Sequence, residues 1–475
     1  MLKQQKSKCL LCSLGCGFII ESQNDEAINL EYDTDDSVGK GTLCGKGNYA
    51  LELINHPMRL IDPKNEGSVV SWKEAFDRIA GELGSHAENS GAGLILGGDA
   101  SLEDVATAVQ FAEKCLGSGR LAVHFATGDD NVLNALANST IPNAGAGLDD
   151  IETSACNIAV GDPFENGPVI AGRVLNAKYA KRGNMFGVIS KQANMTSRFA
   201  SVHVCGSERK ILAGLLRVVA EKSDGENPGW KKAVRDSYPA PKDLGIVRMG
   251  ETFVKTPSAV LILETQDPVT ACLAAAVVAA AGPDKKLLVM NTYGNAAGIC
   301  GILKNSASAE ELIDAAAGGE IKALLTLGAD PVKGIAGRDV KAAVEKLDFL
   351  AAAGPFENMT MQYADMILPT ALWMESEGTY NGTKLTPVVD PPGSALPYGE
   401  ILRQLAEAMG HTLAPVSVEK VQSGGEITKE SVLVLLKESA QEAPEAAFRS
   451  TTIDFADGSL TDNMSWIKLQ ERDAW

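Results

Sequence analysis

Apolar residues recur at helical spacing between residues 72 and 83, at Trp72, Ala75, Phe76, Ile79, Ala80 and Leu83, and this period predicts a helix. A buried strand is predicted next, at 92–98, where an apolar run ends in Gly97 and Gly98. The same alternation continues downstream. Strand-like runs stand at 186–190, 259–264, 287–291 and 349–353, with helical stretches at 169–182 and 340–347. The alanine-rich run 271–281, closed by Gly282 and Pro283, reads as a buried helix, because a bilayer needs about 20 apolar residues. Strands alternating with helices imply an α/β architecture with parallel sheets.

Two of these segments echo each other. Asn157 to Pro163 and Ala323 to Pro331 each give a strand, a glycine turn and an Asp-Pro pair ahead of a helical stretch. Glycine at the carboxyl end of a parallel strand, with a helix N-terminus following, is where doubly wound sheets accept anionic ligands. Gly161, Asp162 and Gly328 are therefore candidate ligand-binding residues, and their repetition predicts two related lobes. The interval 221–258, rich in Gly, Pro and charge, reads as a surface excursion. From His411 onward the chain is polar, with a helix predicted at 428–439.

The chemistry concentrates at the other end. Cys9, Cys12 and Cys16 lie within one short loop, and Cys44 returns from afar in Cys44-Gly45-Lys46-Gly47. A [4Fe-4S] cubane needs four soft anionic ligands converging on four irons, which one tight loop cannot supply without strain. Zinc held by four cysteines is the competing reading, but structural zinc sites usually pair their ligands as two CxxC knuckles, and here the distribution is three plus one. Gly15, Gly17, Gly41, Gly45 and Gly47 suit close approach of backbone amides to cluster sulfides. With a strand at 17–22 and a helix at 47–55, residues 1–62 form a small cluster domain.

Composition narrows the rest. A length of 475 residues implies two or three domains. The formal charge of −18 disfavours nucleic acid and anionic membranes as partners. Cys115, Cys156, Cys205, Cys272 and Cys300 are scattered, mostly in apolar runs, and read as reduced core residues. The lysines ahead of Cys9 resemble a signal peptide poorly, since ligand-spaced cysteines interrupt the apolar stretch and no small-residue cleavage site follows. A cytoplasmic protein without direct membrane insertion is expected.

With the cluster motif, the exit at Arg59-Leu60 to Pro63 and the helix at Trp72-Lys73-Glu74-Ala75 in hand, the chain resembles the molybdopterin oxidoreductase superfamily. That group includes formate dehydrogenases, nitrate reductases and the large iron-sulfur subunit of respiratory complex I. Tyr363-Ala364-Asp365-Met366-Ile367-Leu368-Pro369, followed by Glu375 and by Glu377-Gly378-Thr379-Tyr380-Asn381, carries the most specific likeness. The resemblance implies a small N-terminal [4Fe-4S] domain followed by two interleaved doubly wound α/β lobes. Residues 63–118 would join 287–411 in a discontinuous lobe, enclosing an inserted lobe at 119–286, with 412–475 as a C-terminal extension for subunit contact. Lys46 matches the lysine that lies between cluster and pterin in relatives, an electron relay. If a molybdopterin with Mo or W is present, Lys46, Gly161, Asp162, Gly328, Glu377, Gly378, Thr379 and Asn381 would hold it.

Three departures bear on the chemistry. Where catalytic relatives ligate molybdenum or tungsten, in a segment corresponding to residues 124–136, this chain has no cysteine; it reads His124-Phe125-Ala126-Thr127-Gly128-Asp129-Asp130-Asn131. Where relatives often place an Asp on a guanine of the pterin dinucleotide, it has Ser190-Lys191-Gln192. The family's C-terminal barrel needs more residues than follow His411 and would come from another subunit if a pterin is bound. The reading is a [4Fe-4S] electron-transfer subunit of a multi-subunit oxidoreductase, resembling the complex I large iron-sulfur subunit, doing no bond chemistry itself. Its partners would be iron-sulfur and flavoprotein subunits. The alternative is the catalytic subunit of a formate dehydrogenase or formylmethanofuran dehydrogenase type enzyme, completed by another polypeptide.

Overall fold

The computed structural model describes residues 2–117, 120–125, 129–139, 145–223, 229–303, 306–335, 337–380, 382–416 and 436–439. Three antiparallel strands, β1 (Lys3–Lys8), β2 (Gly17–Gln23) and β3 (Glu26–Tyr32), open the chain in the order β1-β2-β3. The sequence pattern gave no sign of β1, because an edge strand of Lys, Gln and Ser has no apolar face to alternate. In place of one helix at 47–55 there are two short ones, Gly45–Asn48 and Ala50–Ile54, meeting at Tyr49.

Next come β4 (Lys64–Asn65), β5 (Ser68–Val69), β6 (Ala92–Leu96) and β7 (Leu121–Val123). Then β8 (Cys156–Val160), β9 (Met185–Ser190), β10 (Val202–Cys205), β11 (Ala259–Leu263) and β12 (Lys285–Val289) form a five-stranded parallel sheet, ordered β10-β9-β8-β11-β12. The chain returns as β13 (Ala307–Ser308), β14 (Ala323–Leu327), β15 (Phe349–Gly354), β16 (Met366–Pro369) and the hairpin β17 (Gly378–Tyr380) and β18 (Thr383–Leu385). The eight-stranded sheet runs β13-β7-β6-β14-β15-β16-β4-β5, parallel except where β4 meets β16 and β5. Buried throughout, β6, β8, β11, β14 and β15 are the continuous apolar runs expected of strands covered on both faces.

Two compact units result, one from the described residues within Met1–Asp130 and Tyr293–Val421, the other from those within Asn131–Thr292 and Gln422–Ala446. The junctions expected at 118/119 and 286/287 move to 130/131 and 292/293. The short β7 pairs with β6 and so stays with the first unit, while the run expected at 287–291 begins at Lys285 and pairs with β11 in the second. The expected surface excursion at 221–258 is also corrected. Helices Gly229–Ser237 and Leu244–Lys255 bury Trp230, Val234, Ile246, Met249 and Phe253 in the core of the second unit. Helical spacing of a few apolar side chains among many charges hides in an average over composition.

Local signals place the helix starts. Helix Trp72–Ala87 begins at a capping box in which Glu74 N–H donates to Ser71 Oγ and Ser71 N–H to Glu74 Oε2. The same box recurs with Ser101 and Asp104, and with Ser308 and Glu311. The run expected as a buried helix at 271–281 is helix Pro268–Ala281, capped by Asp267. Among the described residues no helix is long and apolar enough to cross a membrane.

Within the first unit the cysteine loops share a core with the late motif: Cys9, Leu10, Phe18 and Leu53 pack with Phe356, Leu372, Trp373, Met374 and Tyr380. Trp373 Nε1 donates to the Lys8 carbonyl at 2.8 Å. Beside it, Arg59 makes a bidentate pair with Glu375 at 2.6 and 2.7 Å, both side chains almost wholly buried. Removing one partner of a buried pair leaves the other charge uncompensated. Glu375→Gln is expected to lower unfolding free energy by about 3–5 kcal/mol, read as a fall in the urea midpoint; a loss within the range of ordinary surface substitutions would show that the pair does not brace the unit.

Candidate functional site

Cys9, Cys12 and Cys16 are buried and Cys44 is partly exposed; all four are free thiols. The turns that carry them are closed by a Cys9 N–H to Cys16 carbonyl bond of 2.8 Å and by Gly15 at φ 70°, a left-handed position that glycine adopts without strain. Not every nearby glycine serves close approach to a cluster. The Cβ position of Gly17 is taken by Asp36, whose carboxylate accepts from Gly17 N–H (2.9 Å) and Gly39 N–H (2.5 Å). A Cβ on Gly45, by contrast, would meet nothing within 4 Å.

Electrostatics mark the thiols as one group. Burial raises the Cys9 thiol well above its ordinary range, and Cys12, Cys44 and Cys16 add to it. Cys12 is raised by burial, pulled back by the charge of Lys46 and raised again by Cys44. Cys16 is raised by burial and then by Cys12, Cys44 and Asp36. Lys46 is buried, with Nζ 3.2 Å from the Leu11 carbonyl inside the cysteine loop. The three buried thiols, Cys9, Cys12 and Cys16, need added positive charge to become thiolates, which bound iron would supply. Among the described residues no three His, Cys, Asp or Glu side chains close on one metal ion. Three buried thiols and a partly exposed fourth, with the Lys46 cation against their loop, are a soft donor set that fits a [4Fe-4S] cluster.

Of the candidate pterin residues, Asp162, Glu377 and Thr379 pair within the chain. Both oxygens of Asp162 accept from the 195–196 segment: Met195 N–H at 3.1 Å, Thr196 N–H at 2.9 Å and Thr196 Oγ1 at 2.5 Å. Asp330 does the same with Met359 and Thr360, at 3.1, 2.9 and 2.5 Å. Thr379 gives its N–H and hydroxyl to Glu103, at 2.7 and 2.6 Å. Gly378 packs on Ser101, where a Cβ would lie 2.5 Å from the Ser101 Cβ. Glu377 is exposed and pairs with Lys384 at 2.5 Å. Asn381 lies outside the described residues, as do 126–128 of the segment expected to hold a metal ligand.

The matched Asp locks expose a repeat the sequence reading left unused. Asn194-Met195-Thr196 and Asn358-Met359-Thr360 are the same tripeptide, each following the strand after its Asp-Pro turn. Searching the chain for identical tripeptides downstream of the two Asp-Pro pairs would have found it.

Where relatives carry the guanine-binding acid, the Ser190 hydroxyl donates to the Gln192 carbonyl at 2.7 Å and lies 2.9 Å from His203 Nε2. Cys205, expected in the core, is exposed, with Sγ 3.1 Å from the Lys191 carbonyl. His124 is buried, with neither ring nitrogen hydrogen-bonded among the described residues, and burial lowers it to about 4, so it is neutral at pH 7.

Residues 54–408 match the family described as molybdopterin oxidoreductase, and residues 2–56 match the molybdopterin oxidoreductase Fe4S4 domain. The chain belongs to the molybdopterin oxidoreductase family. Its α/β lobes and N-terminal cluster domain are those of this oxidoreductase family. It is 24% identical to the F420-dependent formate dehydrogenase subunit alpha of Methanocaldococcus jannaschii, over 85% of this chain and 70% of that one. It is 22% identical to the nitrate reductase of Symbiobacterium thermophilum, over 86% and 66% of the two chains. Acetylene hydratase from Pelobacter acetylenicus shares the fold, with a TM-score of 0.67 at 17% identity over 86% of this chain and 69% of that one.

One buried acid in the molybdopterin oxidoreductase lobes gives a pH signature. Asp99 Oδ2 accepts from Tyr398 Oη at 2.7 Å, while Oδ1 is sealed from solvent without a partner among the described residues. Burial raises Asp99 to about 7, against the Tyr398 hydrogen bond. The folded chain thus holds a proton that the unfolded chain releases near pH 4. Its contribution to stability is present below that value and is lost as pH rises toward 7. Urea midpoints are expected to fall between pH 5 and pH 7.5, and Asp99→Asn to flatten the fall; an unchanged slope in the variant would assign it to other groups.

Proposed function

We propose that this chain is a [4Fe-4S] electron-transfer subunit of a multi-subunit oxidoreductase, with Cys9, Cys12, Cys16 and Cys44 as cluster ligands. The observation that carries the reading is the buried, mutually coupled thiol set with Lys46 inserted behind it. When bound, the cluster supplies one-electron transfer. The chain's own part is to exclude water from three of the four thiols, to leave Cys44 nearest the surface, and to set a cation beside Cys12. A buried cation favours the extra negative charge of a reduced centre.

No bond chemistry is assigned to the lobes in this reading. The candidate pterin residues Asp162 and Thr379 are spent on internal bonds, and Ser190 replaces the carboxylate that would pair with two guanine N–H groups. Electrons would enter or leave through iron-sulfur and flavoprotein partners. That a relative is called a subunit alpha of formate dehydrogenase supports a place in such an assembly. The same relative favours a second reading, in which this chain is a formate dehydrogenase type catalytic subunit holding Mo or W on a pterin.

Metal content separates the two. Anaerobically purified protein is expected to hold about four iron per chain, the content of one cubane, with no stoichiometric molybdenum or tungsten and no fluorescent pterin released. Stoichiometric Mo or W would sink the electron-transfer reading. Cys12→Ala should lose the iron and its EPR signal, and retention of both would refute the ligand assignment.

Lys46→Met should keep its iron but shift the cluster midpoint potential negative, on the order of 50 mV for a one-electron couple. Potentiometric EPR titration reads the shift, and an unmoved potential would remove Lys46 from the redox site.

A further inference from the structure

In an open parallel sheet, ligands sit outside the carboxyl ends of the strands where strand order reverses, with phosphate held on the glycine-turn amides. In the inserted lobe this switch point lies between β8 and β11, since β9 and β10 extend the sheet on one side and β11 and β12 on the other. In the discontinuous lobe it lies between β6 and β14. Gly161 follows β8 at φ 86° and Gly328 follows β14 at φ 70°. These are the two turns that the sequence marks for anions.

At the first turn the donor is already used. Asp162 N–H donates to Glu264 Oε2 at 2.9 Å, and a Cβ built on Gly161 would overlap both that oxygen and the Glu264 carbonyl. Glu264 directly follows β11, so the strand across the switch point delivers a carboxylate to the place where a phosphate would accept. Asn194 Nδ2 holds the Gly161 carbonyl at 2.9 Å, which fixes the turn. Glu165 stands close enough that Asp162 and Glu264, after burial, help to raise its carboxyl to about 7. An incoming phosphate would have to displace one carboxylate and lie beside two more.

In the discontinuous lobe other residues fill the corresponding position. A Cβ on Gly328 would overlap Asp99 Oδ1 and Tyr398 Oη, and one on Gly97 would overlap the Gly328 carbonyl. Asp99 follows β6, again the strand across the switch point. Tyr398 is buried and donates to Asp99 at 2.7 Å, so a ring and a carboxyl group fill the space above the glycine turn.

We propose that each lobe closes its own anion position with an acidic side chain from the neighbouring strand end, Glu264 in the inserted lobe and Asp99 in the discontinuous one, and takes no pyrophosphate-bearing dinucleotide at either glycine turn. The residues at these turns do not fit the pterin dinucleotide that the family implies. This holds whether or not the chain transfers electrons.

Isothermal titration of the full chain with inorganic pyrophosphate tests it. Wild type is expected to show no binding at millimolar concentration, and Glu264→Ala, with circular dichroism confirming its fold, to bind about tenfold tighter or better. Asp99→Ala should do the same for the other lobe. A folded Glu264→Ala that gains nothing overturns the inference, as does wild-type binding that the substitution leaves unchanged. If the variants do not fold, acid treatment of the wild-type protein decides: absence of released guanine or cytosine nucleotide supports the inference, and stoichiometric release overturns it. Molybdenum or tungsten found without any nucleotide would defeat the electron-transfer reading and leave this one standing.

Discussion

The buried pair of Arg59 and Glu375 is the constraint on which the first unit depends. Glu375 accepts both guanidinium donors and the Leu372 N–H at 2.8 Å, while Arg59 also reaches the Thr370 carbonyl and stacks over Phe356. It ties the chain leaving the cysteine domain to a segment more than three hundred residues later. The desolvation of two charges is offset only because geometry and further hydrogen bonds are nearly complete. With that tie in place, Trp373 can reach the Lys8 carbonyl and Leu372 and Met374 can seat against Cys9 and Leu10. The burial of Cys9 is thus a tertiary property, set by residues far from it in the chain.

Burial then sets the chemistry. Desolvation raises the Cys9, Cys12 and Cys16 thiols, and the neighbouring thiols raise them further. A site of this kind disfavours its own thiolates until a cationic group arrives, which couples metal binding to proton release. Lys46 is the internal exception, a cation at the carbonyl edge of the loop. Lys46 lies on the helical turn that Cys44 caps, so the fourth cysteine and the cation are positioned by one element.

How much of this the sequence disclosed follows from which signals are local. The three-plus-one cysteine spacing and the apolar strands at 92–96 and 323–327 are local, and both could be read directly. The helix at 244–255 was not, because Ile246, Met249 and Phe253 are diluted by charge and only their spacing betrays a buried face. Strand β1 was illegible for the opposite reason, since its pairing with β2 is decided by partner backbone and not by any pattern of its own. The Asp162 turn looked like a ligand site because its residues are those of one. What occupies its amide comes from Glu264, a hundred residues away, and no local pattern reports that.

The two Asp-Thr locks show how a lobe can keep its frame while its crevice changes use. Asp162 on Thr196 and Asp330 on Thr360 have the same donors and nearly the same distances, so the turn after the first strand is pinned to the loop after the second in both units. That pin needs no ligand. Once the turn is held internally, the amide beside it is free to be answered by whatever the neighbouring strand end supplies. In the inserted lobe that is Glu264, while in the discontinuous lobe Asp99 and Tyr398 fill the space above Gly328. A glycine turn marks a possible anion site, but the residue across the switch point decides whether an anion can enter, and here that residue is acidic in both lobes.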